Sequence, residues 1–134
     1  MKTVAVLLLA VLPLCGAVDI VCSTTARSLT DAQIEVQCPS GCATEGGTVW
    51  GTGTYTDDSS VCRAAVHDGK IPISGGKVIV EKKPGQSSYM GSTKNGVTTN
   101  SYGSWAGSFV LTPVASVVLQ CVDKATSLSA STTV

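Results

Sequence analysis

His67 is the only histidine of the 134-residue chain, so any imidazole chemistry near neutral pH must use this side chain. A serine hydrolase would also need an activated serine and a buried acid close to it. The segment Gly85–Tyr89 carries serines but lacks the glycine spacing of a nucleophile elbow. A small hydrolase that depends on His67 is one hypothesis, a direct part in ligand binding is another, and a structural histidine bonded to backbone carbonyls near a helix end is the third. We predict no catalytic residue and no enzymatic activity.

Asp57 and Asp58 are the only adjacent acidic pair in the chain. Carboxylates that act together on a glycosidic bond lie on either side of it, about 5 to 9.5 Å apart. Adjacent aspartates just before a predicted helix are better explained by the favourable end of the helix dipole, with Asp58 or Ser59 as the cap. The pair therefore does not predict a glycosidase.

The N-terminus has the composition of a secretory signal. Lys2 gives a positive end, and Val4–Leu14 is an apolar run of about eleven residues, too short for the roughly 20 that span a bilayer. The small residues Gly16 and Ala17 predict cleavage after Ala17, and the alternative is a short buried element at a true N-terminus. We therefore predict a signal peptide at 1–17 and a secreted, extracellular protein.

The remaining chain is long enough for one domain, which we place at 18–112, followed by a partly flexible C-terminal extension at 113–134. The chain has nine basic and nine acidic residues, a balance that argues against bulk binding of nucleic acid. No second apolar run is long enough to cross a membrane, so we predict no membrane span.

The cysteines favour disulfides over metal. Cleavage after Ala17 leaves Cys22, Cys38, Cys42, Cys62 and Cys121. Cys38 and Cys42 have a spacing that can chelate zinc, but no second cysteine or histidine pair lies at ligand spacing, so we predict no metal and no cofactor. In an oxidising compartment the first four form two disulfides, with three possible connectivities. Cys121 is left unpaired, as a buried thiol, a bridge to a partner protein or half of a bond to a missing segment.

Two sets of side chains could bind ligand instead of serving the fold. The aromatic set, which could line a carbohydrate or lipid site, is Tyr55, Trp50, Trp105 and Phe109. Core packing is the alternative, which we expect for Trp105 and Phe109, whereas glycine neighbours could leave one face of Trp50 open. The cationic set, which could bind phosphate head groups, is Lys70, Lys77, Lys82, Lys83 and Lys94. Lysines that protect a solvated strand edge are the alternative.

The residue pattern predicts short strands around one short helix. The helix of about nine residues carries an apolar stripe and ends at Asp68-Gly69. Pro84-Gly85 is expected to turn the chain, and Asn95-Gly96 to form a hairpin. The predicted strands are Val18–Cys22, Gln33–Gln37, Thr48–Tyr55, Lys77–Lys83 and Gly107–Thr112.

Several motifs, in order, resemble the LCCL domain family over residues 20–112. They are Cys38-Pro39-Ser40-Gly41-Cys42, Tyr55 with Asp57-Asp58-Ser59-Ser60-Val61-Cys62-Arg63-Ala64-Ala65-Val66-His67-Asp68-Gly69, Ser74-Gly75-Gly76-Lys77-Val78, Pro84-Gly85, Tyr89, Asn95-Gly96-Val97 and Trp105-Ala106-Gly107-Ser108-Phe109. The resemblance implies an α+β fold, a single central helix wrapped by short antiparallel strands with two disulfides. It also implies that Cys22 pairs with Cys38 and Cys42 with Cys62.

For function, the resemblance implies a secreted, non-catalytic recognition module in host defence, as part of innate immunity, or in the extracellular matrix. The implied ligands are lipids, lipopolysaccharide or glycans. We expect the ligand at the surface beside the helix, on Tyr55, Arg63, His67 and the turn from Ser74 to Lys77. The alternative is a structural or protein-interaction domain that is linked to a partner through Cys121.

Overall fold

The computed structural model describes residues 16–114, which contain a compact unit, Ala17–Pro113. Most of the expected signal peptide, Cys121 and nearly all of the expected extension lie outside the described residues. The helix is α1 (Val61–His67), and a short 3-10 turn covers Ala26–Ser28. The strands are β1 (Val18–Asp19), β2 (Gln33–Cys38), β3 (Gly51–Thr52), β4 (Thr54–Thr56), β5 (Gly76–Gln86), β6 (Thr93–Lys94), β7 (Val97–Thr98) and β8 (Trp105–Pro113).

The sheet is built around β5, the longest strand. Its strand order is β1-β2-β5-β8-β4-β3, and a separate two-stranded ribbon is formed by β6 and β7. β5 is antiparallel to β2, with Val36 opposite Val78, and to β8, with Val80 opposite Leu111. Among the strands β1 to β8, β1 alone pairs in parallel, with Val18 opposite Val36. The expected α+β fold with antiparallel strands and one helix is confirmed for the described residues.

The helix and the sheet share one hydrophobic core. Val61 and Ala65 of α1 are fully buried, as are Val36 of β2, Val80 of β5 and Phe109 of β8, and all five belong to the same cluster. Full burial of a valine or phenylalanine side chain contributes roughly 1.5–3 kcal/mol. A helix of 7 residues is too short to be stable alone, so this packing holds it in place.

The helix cap lies one or two residues after the two positions that the sequence predicted. Ser60 is the cap, and its hydroxyl oxygen accepts from the Arg63 backbone N–H at 3.4 Å. The assignment of Asp58 or Ser59 is wrong. The Ser59 hydroxyl is already hydrogen-bonded to Thr56 Oγ1 at 2.7 Å and accepts from the Trp50 backbone N–H at 2.9 Å. At the other end Gly69 has a φ of 74°, the left-handed conformation that the sequence predicted for the helix stop.

The disulfide pairing differs from the one that the resemblance implied. Cys22 is bonded to Cys42 and Cys38 to Cys62, with Cα–Cα distances of 5.1 and 5.6 Å that suit a disulfide. The geometry explains the correction. β2 ends at Cys38 beside the first turn of the helix, which carries Cys62, and the turn at Gly41 then brings Cys42 to Cys22. The four predicted cysteines form two disulfides within residues 16–114, but the expected connectivity is wrong.

The turn predicted at Pro84-Gly85 is absent, whereas the hairpin predicted at Asn95-Gly96 is present. Pro84 and Gly85 lie inside β5, where Pro84 is opposite Gly107 of β8. A Cβ at Gly85 would collide with the carbonyl oxygen of Trp105, so this glycine permits close approach of two strands. Asn95 and Gly96 have φ values of 52° and 79° and join β6 to β7 as the predicted two-residue hairpin.

Candidate functional site

Tyr55 and His67, two of the expected ligand-binding residues, lie together in the interior. Both have a relative exposure of 0%, although they come from β4 and the last turn of α1. Tyr55 Oη and His67 Nδ1 are 2.8 Å apart, and the rings meet edge to face at 5.7 Å. Ser92 completes a group that we call the histidine–tyrosine cluster, because its carbonyl oxygen and Oγ lie 3.2 and 3.1 Å from His67 Nε2.

Hydrogen bonding fixes the form of the imidazole in this cluster. The Ser92 carbonyl can only accept, so His67 Nε2 carries the proton and donates. Nδ1 is then the acceptor of a neutral ring, and the Tyr55 hydroxyl donates to it. Both ring nitrogens are occupied within the protein, which is the structural role that the sequence offered for His67.

Burial favours the uncharged form of both partners. It lowers the pKa of His67 below its usual value, and the charge of Lys94 acts in the same direction, whereas the Ser92 carbonyl and Asp68 oppose the shift. Burial also raises the pKa of Tyr55 well above its usual value. A neutral, fully buried pair has no exposed surface to offer a ligand. The sequence identified these two residues as candidates but did not predict that both are fully buried.

Arg63 and Lys77, the other two expected site residues, are not hydrogen-bonded to this cluster. Arg63 is half-buried, and its guanidinium donates to the carbonyls of Ala43 at 3.4 Å and Gly47 at 3.1 Å, so it fastens the loop before β3 to the helix. Lys77 is exposed near the start of β5. The structure therefore brings Tyr55 and His67 together and leaves Arg63 and Lys77 at separate positions.

Three lysines of the cationic set already make contacts within the domain. Lys70 pairs with Asp68 at 3.6 Å, and Lys83 pairs with Glu81 at 3.1 Å. The ammonium of Lys82 donates to the carbonyl of Leu29. Lys82 and Lys83 belong to β5 and Lys70 follows the helix, and none of these contacts requires a ligand.

A second region is open and lined by aromatic rings. We call it the aromatic pocket, a cavity of about 120 Å³ whose lining residues are Trp50, Thr56, Asp58, Tyr102 and Trp105. Tyr102 is 45% exposed, and both tryptophans are half-buried. Phe109 is fully buried, as expected, whereas Trp105, also expected in the core, reaches this pocket.

The three rings of the aromatic pocket meet at steep angles. Tyr102 lies between the tryptophans, with its centroid 6.3 Å from Trp50 at 67° and 5.7 Å from Trp105 at 81°. These are edge-to-face contacts, a favoured arrangement of aromatic pairs. The rings therefore form corners instead of one flat platform.

Backbone hydrogen bonds hold the walls of this pocket in position. Gly51 N–H donates to the Asn100 carbonyl at 3.0 Å, which aligns the chain after Trp50 with the segment that leads to Tyr102. Tyr102 and Tyr89 exchange two backbone bonds of 2.9 and 2.7 Å. A site that is ordered before binding loses less entropy when a ligand arrives.

Asp57 and Asp58 have different roles beside this pocket. The Asp57 Oδ1 oxygen accepts from the indole N–H of Trp105 at 2.7 Å, and a Cβ at Gly107 would collide with its other oxygen. Asp58 lines the pocket, and its Oδ1 is buried without a hydrogen-bond partner among the described residues. Leaving a buried polar atom unpaired costs about 1–3 kcal/mol. Sequence reasoning named Trp50 and Trp105 but assigned neither Tyr102 nor Asp58 to a ligand site.

Two further observations concern the described part of the chain. Within residues 16–114, no group of three His, Cys, Asp or Glu side chains is arranged to hold a metal ion. Over the same range, no helix has the length and apolar character needed to cross a bilayer.

Comparisons with known proteins agree with the resemblance seen in the sequence. A family model described as the LCCL domain matches residues 19–109, which include both the histidine–tyrosine cluster and the aromatic pocket. Vitrin of Mus musculus is 44% identical over 90 residues, which are 67% of this chain and 14% of that protein.

Two other relatives show the same pattern of partial coverage. Clotting factor C of Tachypleus tridentatus is 47% identical over 76 residues, which are 57% of this chain and 8% of that protein. Cochlin of Cavia porcellus is 37% identical over 114 residues, 84% of this chain and 21% of that protein. The chain thus corresponds to a small part of each of these longer proteins.

Proposed function

This chain belongs to the LCCL domain family, and we propose that it acts as a secreted, non-catalytic recognition module that binds a lipid or glycan ligand. Lipopolysaccharide falls within this class because it carries both chemistries. The proposed setting is host defence or the extracellular matrix. Secretion is supported by the signal-like N-terminus and by two disulfides, which persist in oxidising compartments.

The observation that carries this proposal is the aromatic pocket. Binding sites for small ligands are concave, mostly apolar and preformed, with a few polar groups. Trp50, Tyr102 and Trp105 supply the apolar walls, Asp58 supplies a polar group, and the backbone frame is ordered. The only histidine is sealed in the interior with both nitrogens hydrogen-bonded, so it is poorly placed for hydrolysis.

An array of glycans and lipids, lipopolysaccharide included, tests this function with the secreted protein. We expect retention on one ligand class and loss of retention in Trp50→Ala. Ile73→Ala is the matched control, because Ile73 is an apolar residue that is 64% exposed and is absent from the pocket lining. Absence of retention on any lipid or glycan would reject the proposed function.

Non-reducing electrophoresis separates this proposal from the linker role that the sequence suggested for Cys121. A recognition module is expected to run as a monomer and to bind its ligand without a partner. A covalent dimer that a reductant converts to monomer, combined with no retention on the array, would favour the linker role.

A further inference from the structure

We propose that the aromatic pocket is a cage for a quaternary ammonium group, such as the choline of a lipid head group or of a choline-substituted glycan. This inference rests on the proposed function and narrows its ligand class. Three observations support it: the arrangement of the rings, the size of the cavity and the charge of its lining.

The arrangement of the rings suits a compact cation. A cation is attracted to the negative face of an aromatic ring, and several rings set at an angle surround it better than one plane can. Tyr102 meets its two tryptophan neighbours at 67° and 81°, which produces such corners. A sugar ring that stacks on aromatic side chains would instead need a broad flat face.

The size of the cavity limits how much of a ligand can enter. Its volume is about 120 Å³, whereas pockets that enclose a drug-sized molecule measure about 300–1,000 Å³. Only one small group can therefore be enclosed, and the rest of the ligand must lie outside. A trimethylammonium group at the end of a longer molecule meets this requirement.

The charge of the lining favours a cation over a phosphate or carboxylate. Among the described residues that line the cavity, Asp58 is the only one with a charged side chain, and none is a lysine or arginine. Asp57, its neighbour, already accepts from Trp105. The buried Asp58 Oδ1 lacks a partner within the described residues, so a positive group beside it would offset the cost of burying a carboxylate oxygen.

The same chemistry could come from two sources, a bilayer lipid or a glycan that carries phosphocholine. In both, the ammonium group projects beyond the phosphate on a flexible arm, so the phosphate can stay in solvent. The cage can accept the ammonium group of either carrier, so binding to the lipid and to the glycan is measured separately.

The first measurement is titration of the secreted protein with free choline and with its uncharged isostere, in which carbon replaces the nitrogen. The isostere has the same shape, so tighter binding of choline isolates the charge. We expect a preference of about tenfold for choline.

The two possible carriers are tested separately. The lipid experiment uses phosphatidylcholine vesicles, with phosphatidylethanolamine vesicles as control. The glycan experiment uses phosphocholine-substituted albumin, with plain albumin as control.

Two variants connect binding to the pocket. Trp50→Ala should weaken choline binding by about tenfold or more, and Asp58→Asn should weaken it while preserving shape. Ile73→Ala and Asp31→Asn, which change exposed residues outside the pocket lining, should bind as the parent does. Asp58→Asn keeps the test decisive if Trp50→Ala fails to fold.

The outcomes separate this inference from the proposed function. Equal binding of choline and isostere, or choline binding that survives both Trp50→Ala and Asp58→Asn, overturns the cage. An array ligand without a quaternary ammonium whose retention depends on Trp50 overturns the cage but leaves the recognition function intact. Failure to bind any array ligand or choline rejects both.

Discussion

The histidine–tyrosine cluster and the aromatic pocket lie in the same domain and contain similar side chains, yet they differ in exposure. In the first, Tyr55 and His67 are fully buried and hydrogen-bonded to one another. In the second, Tyr102 is 45% exposed and the buried Asp58 Oδ1 has no partner among the described residues. Both regions combine aromatic rings with a titratable group.

The difference shows which polar groups are available to a ligand. A buried group whose hydrogen bonds are complete stabilises the fold, because any change leaves a partner unpaired. A buried carboxylate oxygen that lacks a hydrogen bond lowers stability, and the positive charge of a ligand bound in the neighbouring cavity can offset that cost. From this comparison we expect the cluster to support stability and the pocket to contact the proposed ligand.

The largest predicted effect concerns the covalent support of the cluster. Removing the Cys38–Cys62 bond with a double alanine variant should lower the free energy of unfolding by about 2–5 kcal/mol. This bond closes a separation of 24 residues and anchors the helix that carries His67. Urea denaturation with tryptophan fluorescence measures the change. An unaltered midpoint would show that packing alone holds the helix.

The pairing itself can be checked on the parent protein. Fragmentation mass spectrometry of non-reduced peptides should find Cys22 linked to Cys42 and Cys38 linked to Cys62. Because Cys38, Cys42 and Cys62 share one tryptic peptide, the chain must first be cleaved after Glu45, and the backbone must then be fragmented between Cys38 and Cys42. A fragment that links Cys22 to Cys38 would contradict this connectivity.

The second prediction separates the cluster from the pocket by mutation. His67→Ala should lower the free energy of unfolding by about 3 kcal/mol, because it leaves a cavity and removes the partner of the buried Tyr55 hydroxyl. Protein that remains folded should still bind the array ligand. Tyr55→Phe, which removes only the hydroxyl, should cost less. A stable His67→Ala protein that has lost binding would move the ligand site to the cluster.

The third prediction follows from the lowered pKa of His67. The unfolded state takes up a proton near pH 6.5, whereas the folded state resists protonation until its lower pKa is reached. Stability is therefore full above about pH 6.5 and falls as the pH drops below it, by at most about 1.4 kcal/mol per pH unit. Urea melts at pH 7.5 and 5 should show a smaller decline for His67→Gln than for the parent. Equal declines would mean that His67 does not titrate differently on folding.

The sequence could predict elements that local chemistry determines. The helix stop at Gly69 and the hairpin at Asn95-Gly96 follow from backbone conformations that few other residues adopt, and both predictions are confirmed. Pro84-Gly85 shows the limit of this reasoning. Its turn prediction failed because the opposing strand, distant in sequence, approaches so closely that only glycine fits at Gly85.

The aromatic pocket could not be predicted for the same reason. Trp50 and Tyr102 are brought together by backbone bonds that join Asn100 to Gly51 and to Val49, and no local sequence pattern predicts that pairing. Asp58 looked like a helix cap until the structure placed the cap at Ser60. The sequence identifies side chains that can bind a ligand, whereas their burial and their hydrogen-bond partners depend on tertiary packing.

The smallest predicted effect on stability compares the two aspartates beside the pocket. Asp57→Asn should lower the free energy of unfolding by about 1 kcal/mol, because the Trp105 indole loses a charged acceptor. Asp58→Asn should leave that free energy unchanged or raise it by less than about 1 kcal/mol, because no hydrogen bond to Oδ1 is lost and a buried charge is removed. Thermal melts at neutral pH measure both. If Asp58→Asn destabilised the protein more than Asp57→Asn, Asp58 would support the fold, as the residues of the histidine–tyrosine cluster do. If Asp58→Asn is as stable as the parent but binds more weakly, the Asp58 carboxylate serves ligand contact at a cost in stability.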